Sequence, residues 1–199
     1  MSSWIFFKDN KYYILIVTLL ISLVYGPLLF STGYYTDLEY VINVKGSMYN
    51  WSLLDRFNLI WLKYLTGLKW FNPYYEAILF TVTSFITVWL GAYLFTRLCS
   101  KIKSIAAFIG ITLFLLFPTF VEQFYFQFQC FEMMVAILLL ILSALFIHSS
   151  IINKKPLIAI ASIVLSVLSF GIYQSMLNMI ITIYLGMFLL MLFEIYKRI

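Results

Sequence analysis

Six apolar runs, two of their connections short and basic, leave this chain few ways to fold. Several of them reach the roughly 17–25 residues that carry a helix across the hydrocarbon core of a bilayer. Backbone groups in lipid have no water to bond, so a spanning run folds as a helix or as part of a closed barrel. A barrel would show alternating strands of about 10 residues, and none is readable. Charged residues make up 11% of the chain, well under the roughly one quarter found in soluble domains. The expected fold class is therefore all-α, a polytopic membrane protein with about six transmembrane helices.

The runs are expected as helices over residues 12–30, 74–95, 105–117, 133–148, 157–170 and 176–196. The first is long for a signal peptide and reads as a retained helix. Gly26-Pro27 allows a kink near its end, and Asn72-Pro73 suits the start of the second. The whole of 1–199 reads as a single membrane domain, with 31–73 as an extracytoplasmic loop.

Charge sets the expected orientation. Lys8, Lys11, Arg97, Lys101, Lys103, Lys154, Lys155, Lys197 and Arg198 fall on one side, and Lys45, Arg56, Lys63 and Lys69 lie in the long loop on the other. The positive-inside rule then puts both termini in the cytoplasm. All acids except Asp9 and Glu194 fall outside. The net charge of +5 is thus a set of topology signals, and no nucleic-acid partner is implied. Cys99 and Cys130 would lie on opposite membrane faces, too far apart to bond, and neither has a ligand-spaced neighbour.

The long loop holds the candidate chemistry. Thr36-Asp37-Leu38-Glu39 fits a capping box that opens a short helix, with Gly46 as a stop. Ser52 to Asp55 offers a second cap. Beyond it Leu53, Leu54, Phe57, Ile60, Trp61, Tyr64 and Leu65 recur at helical spacing, with Asp55, Arg56 and Lys63 off that stripe. Such a helix should lie flat in the interface with its apolar face in the acyl boundary. Carboxylates would then stand at headgroup depth, where one could take a proton from an attacking hydroxyl. Asp37 is the first candidate for that base and Glu39 the second, although Glu39 also serves as capping partner and the helix dipole favours Asp37 in any case. Asp55 reads as a cap. Arg56 suits a phosphate or an interfacial anchor. Tyr34, Tyr35, Tyr40, Trp51, Trp61 and Trp70 could stack on sugars or form an aromatic belt.

These residues resemble those of a known family, the bacterial O-antigen-modifying glucosyltransferases of the phage serotype-conversion type, the Gtr type II group within the GT-C class. That family opens with one membrane helix, then an outer loop bearing an acidic pair, a tryptophan and a downstream arginine. Asp37 and Glu39, Trp51 and Arg56 correspond to these. Asn72-Pro73, the stretch from Phe117-Pro118 through Glu122 with Phe126 and Phe128, and the pair Tyr173-Gln174 resemble later features. The acids here are spaced Asp-Leu-Glu rather than adjacent. Family members are longer, so the chain is expected to correspond to an N-terminal half, as a truncated product or one completed by a second polypeptide.

The resemblance implies a hexose, glucose in the first instance, moved from a polyprenyl-phosphate carrier to a cell-surface glycan such as O-antigen, in a bacterial inner membrane. No cofactor is implied. Asp37 with Glu39 would be catalytic, and Arg56, Trp51, Tyr35, Glu122, Tyr173 and Gln174 would bind substrate. The alternative is a non-catalytic membrane protein: a remnant, a transferase subunit, or a lipid-carrier flippase. Asp37, Glu39 and Glu122 have the oxygen ligands a hard cation takes, but no spacing fixes a metal site. Glu122, Gln123, Gln127, Gln129 and Glu132 could line a groove or lie in water, with Glu122 the preferred groove residue. His148 is expected at a solvated helix end, and Gln174 and Asn178 as bonds between helices.

Overall fold

A computed structural model describes residues 3–30, 56–68, 72–98, 102–125 and 127–196. In chain order they form α1 (Ser3–Asp9), α2 (Lys11–Tyr25), a 3-10 turn (Gly26–Leu29), α3 (Phe57–Thr66), α4 (Pro73–Leu98), α5 (Ser104–Leu115), α6 (Pro118–Phe124), α7 (Cys130–Asn153), α8 (Pro156–Ile172) and α9 (Met176–Tyr196). The described residues contain no strand.

The expected runs all appear as helices. Four stretches, Lys11–Leu29, Pro73–Leu98, Cys130–Asn153 and Met176–Phe193, are long and apolar enough to cross a membrane. α5 and α6 join them as one span bent by 56°. Pro118 causes that bend, because its ring and missing N–H cannot continue α5. α8 is the shortest candidate at 17 residues, about 25 Å of helix. Leu15, Ile16, Leu19 and Leu23 of α2, Ile160, Ile163 and Val167 of α8, and Leu185 and Phe188 of α9 are all exposed. Apolar faces of that extent are at home in lipid, so the chain is a polytopic helical membrane protein.

α7 is the central helix: 67% of its apolar window is buried, against 11% for α9. Small side chains let α8 approach it closely. Ser143 Oγ lies 2.9 Å from Ser162 Oγ and 2.8 Å from Ser166 Oγ, and Tyr184 of α9 reaches the same cluster. Ser169 Oγ donates to the Ala136 carbonyl at 2.8 Å. On α4, Ser84 and Thr87 are buried yet satisfied, since each hydroxyl donates to the carbonyl four residues back.

Helix ends gather at two poles. At the pole where the 31–73 loop enters and leaves, Tyr25 Oη donates to the Leu115 carbonyl, left open where α5 breaks. Tyr125 Oη and Gln127 Nε2 donate to the Val24 and Leu28 carbonyls. At the opposite pole Phe6 packs on Tyr93 and Phe108. His148 lies near that pole but is buried, which corrects the expectation of a solvated imidazole. Cys130 is a free buried thiol, and Cys99 lies outside the described residues.

Candidate functional site

The loop pole brings together residues that are far apart in sequence. α3 begins at Phe57 without a side-chain cap and ends at Gly67, whose φ of 78° is left-handed and favours glycine. Ser52 and Asp55, the expected cap, lie outside the described residues, as do Thr36 and Gly46.

α3 turns its apolar stripe outward. Phe57, Trp61, Tyr64 and Leu65 are exposed, whereas Leu59 is fully buried. In a bilayer that outward face meets acyl chains. Arg56, Leu59, Ile60 and Lys63 recur every three or four residues, so they share the other face. This face was expected to meet water at Lys63. It packs on the protein instead, and Lys63 is 0% exposed. The reason is a pair of counter-charges: Lys63 Nζ lies 2.7 Å from Glu132 Oε1 and 3.4 Å from Glu76 Oε2, with both carboxylates equally buried. The ammonium also lies 4.7 Å from the centroid of the Phe128 ring.

Both acids stand in the first turn of a helix, Glu76 in α4 and Glu132 in α7. The helix dipole favours negative charge there. α4 starts as the sequence implied. Asn72 Oδ1 accepts the Tyr75 N–H at 3.1 Å, and Pro73 occupies the first helical position, where no N–H is needed.

Arg56 lies two turns from Lys63 and is half-buried. Its Nη1 donates to Gln129 Oε1 at 3.1 Å, and its guanidinium carbon sits 4.8 Å from the centroid of the Tyr173 ring. Its Nε is buried with no hydrogen-bond partner among the described residues. Arginine is suited to such a place: the cation stacks on the ring and keeps donors for an anion.

Of the residues expected to bind substrate, the structure therefore brings Arg56 and Tyr173 together. Gln174 is exposed in the turn that follows Tyr173, and Glu122 is exposed on α6 beside Gln123. Gln127 and Glu132, from the same polar stretch, are buried. Tyr35, Asp37, Glu39 and Trp51 lie outside the described residues. Among the described residues no three His, Cys, Asp or Glu side chains cluster as metal ligands. An apolar cavity of about 410 Å³ opens among α4, α5, α7 and α9, lined by Gly91, Gly110, Phe114, Asn178 and Gly186. It offers a sugar almost no hydrogen bonds.

Asn58 ties α3 to α8, its Nδ2 donating to the Leu168 carbonyl at 3.1 Å. The amide fits because residue 171 is glycine, and a Cβ there would overlap it. Gly171→Ala is therefore expected to displace the Asn58 amide and break its bond to Leu168, leaving the protein about 0.5–1.5 kcal/mol less stable than Gly110→Ala. A lowered thermal midpoint would show it. Gly110→Ala is the control, since a Cβ at Gly110 has no neighbour within 4 Å.

Lys63 and Glu76 are the members of this site to which sequence reasoning gave no role, while Glu132 was read only as one of several groove candidates. The available signal was the seven-residue interval from Arg56, which puts both cations on one helical face.

Comparison with known proteins fits the expected resemblance. The model of one family, described as "Glucosyl transferase GtrII", matches residues 26–197. No curated protein and no solved structure matches the chain. The family match starts within the first span, takes in the 31–73 loop and runs to the end of α9. With Arg56, Tyr173, Lys63, Glu76 and Glu132 all inside the matched region, this membrane protein belongs to the GtrII glucosyl transferase family.

Proposed function

We propose that the chain is a membrane glucosyltransferase, or the N-terminal half of one. It moves a hexose, glucose in the first instance, from a polyprenyl-phosphate carrier to a cell-surface glycan such as O-antigen. The observation that carries this reading is the meeting of Arg56, Gln129 and Tyr173 at the loop pole of a GtrII-family chain. A guanidinium whose buried Nε has no hydrogen-bond partner among the described residues, stacked on a tyrosine near the ends of spanning helices, suits a phosphate at headgroup depth.

In this reading Arg56 holds the carrier phosphate as it leaves. Asp37 takes the proton from the acceptor hydroxyl, with Glu39 assisting or replacing it. Trp51, Tyr35, Glu122 and Gln174 contact the sugars beside Tyr173. The loop faces the outside of a bacterial inner membrane, with both termini in the cytoplasm. A flippase that moves a charged headgroup would need ionisable groups near mid-membrane. The buried acids Glu76 and Glu132 instead stand in first helical turns, which favours chemistry at the interface.

The test is transfer from polyprenyl-phosphoglucose to a glycan in proteoliposomes. Arg56→Ala is expected to raise the donor KM about 10- to 100-fold, the weight of a charge-assisted hydrogen bond to a phosphate. Unchanged donor KM would remove Arg56 from the site. No transfer by the unaltered chain, alone or with a companion polypeptide encoded beside it, would favour a remnant.

A further inference from the structure

The phosphate site depends on where α3 lies, and α3 is fastened in a costly way. Lys63, Glu76 and Glu132 are each 0% exposed, so three ionisable groups have left water. Buried ion pairs are poor sources of stability, because desolvation offsets their attraction. Apolar or neutral groups of similar volume often serve as well. Such a cluster does supply direction. Few rotations and depths of α3 bring Lys63 Nζ between carboxylates on the first turns of α4 and α7. The burial of Leu59 is non-directional by comparison.

The register reaches Arg56 directly. Lys63 meets Glu132 while Arg56, two turns back, meets Gln129, one turn earlier on the same helix entry. A rotation of α3 that broke the first contact would carry the guanidinium away from Gln129 and Tyr173.

We propose that the Lys63–Glu76–Glu132 cluster is a positioning device that sets the rotation and depth of α3 and so aims Arg56 at the phosphate of the lipid-linked donor. This rests on the reading of Arg56 as the phosphate-binding group. None of the three touches substrate; they act through Arg56.

The test uses the full chain in nanodiscs with two probes, a polyprenyl monophosphate and the uncharged polyprenol. The triple variant Lys63→Met/Glu76→Gln/Glu132→Gln neutralises the cluster without leaving an unpaired charge. Its thermal midpoint should stay near that of the unaltered protein. Its affinity for the monophosphate should fall about tenfold, within the range for coupling through a positioning network. Its affinity for polyprenol should not change. A merely structural role would weaken both lipids alike in a folded triple variant, and that result overturns the proposal. Unchanged monophosphate affinity in the triple variant, with a loss in Arg56→Ala, overturns it too and leaves the phosphate site standing. Unchanged affinity in Arg56→Ala overturns the phosphate site itself. Should the triple variant fail to fold, Glu76→Gln alone keeps the 2.7 Å pair and is expected to weaken the monophosphate about threefold. No weakening there is equally fatal.

Discussion

Lys63→Met on its own should be the most damaging single substitution in α3. It leaves the Glu132 carboxylate beside Glu76 in a site closed to water, with its ammonium partner gone. Removing one partner of a buried pair costs about 3–5 kcal/mol, because the stranded charge keeps its full desolvation penalty. Typical domains have only about 5–15 kcal/mol of stability in all, so the variant should accumulate poorly and melt far below the unaltered chain. Trp61→Ala is the matched control. Trp61 is 71% exposed on the opposite face of α3, and its loss should leave the midpoint almost unmoved. The contrast inverts the usual hydrophobic rule: here the lysine is the core residue and the tryptophan is the surface one. Size-exclusion profiles and thermal midpoints in detergent read both. A Lys63→Met protein as stable as the unaltered chain would mean that the cluster contributes no paired charge at all.

The bundle was far more legible than this site, for physical reasons. Lipid leaves a backbone no option but internal pairing, so run length alone marked the spans. α9 runs over 176–196 as expected, and α4 opens where Asn72-Pro73 announced it. The third run ended at Pro118 as expected, but the helix that Pro118 opens, and its 56° angle to α5, were not read from the sequence. Interfacial helix α3 defeated the same logic. A sequence shows that Arg56 and Lys63 share a face, but a polar face can meet water or counter-charges. The choice was made by Glu76 and Glu132, brought in by two other helices. Arg56 and Tyr173 were each singled out from the sequence, yet their contact depends on how α8 packs against α7. That packing is set by Ser143, Ser162 and Ser166, whose small size and hydroxyls carry no mark of a functional site.

Asp37→Asn should have the largest effect on catalysis. If Asp37 is the base that takes the acceptor proton, the amide keeps the shape and loses the proton acceptor, and kcat should fall about 10²- to 10⁴-fold. The donor KM should hardly change, since in the proposed reading it is Arg56 that holds the phosphate. Glu39→Gln separates the two roles open to Glu39. The glutamine can still bond the backbone N–H at Thr36 as a capping partner, so a purely capping Glu39 predicts only a small loss. A loss as deep as that of Asp37→Asn would assign the base to both carboxylates or exchange their roles. Arg56→Ala should fail in the other direction, with a raised donor KM and a kcat less affected, because base and phosphate-binding group act on different partners. Transfer measured over a range of donor concentrations distinguishes the two patterns. Full kcat in both carboxylate variants would leave the proposed reaction without a base, and a flippase or a non-catalytic subunit would then be the better account of the same loop.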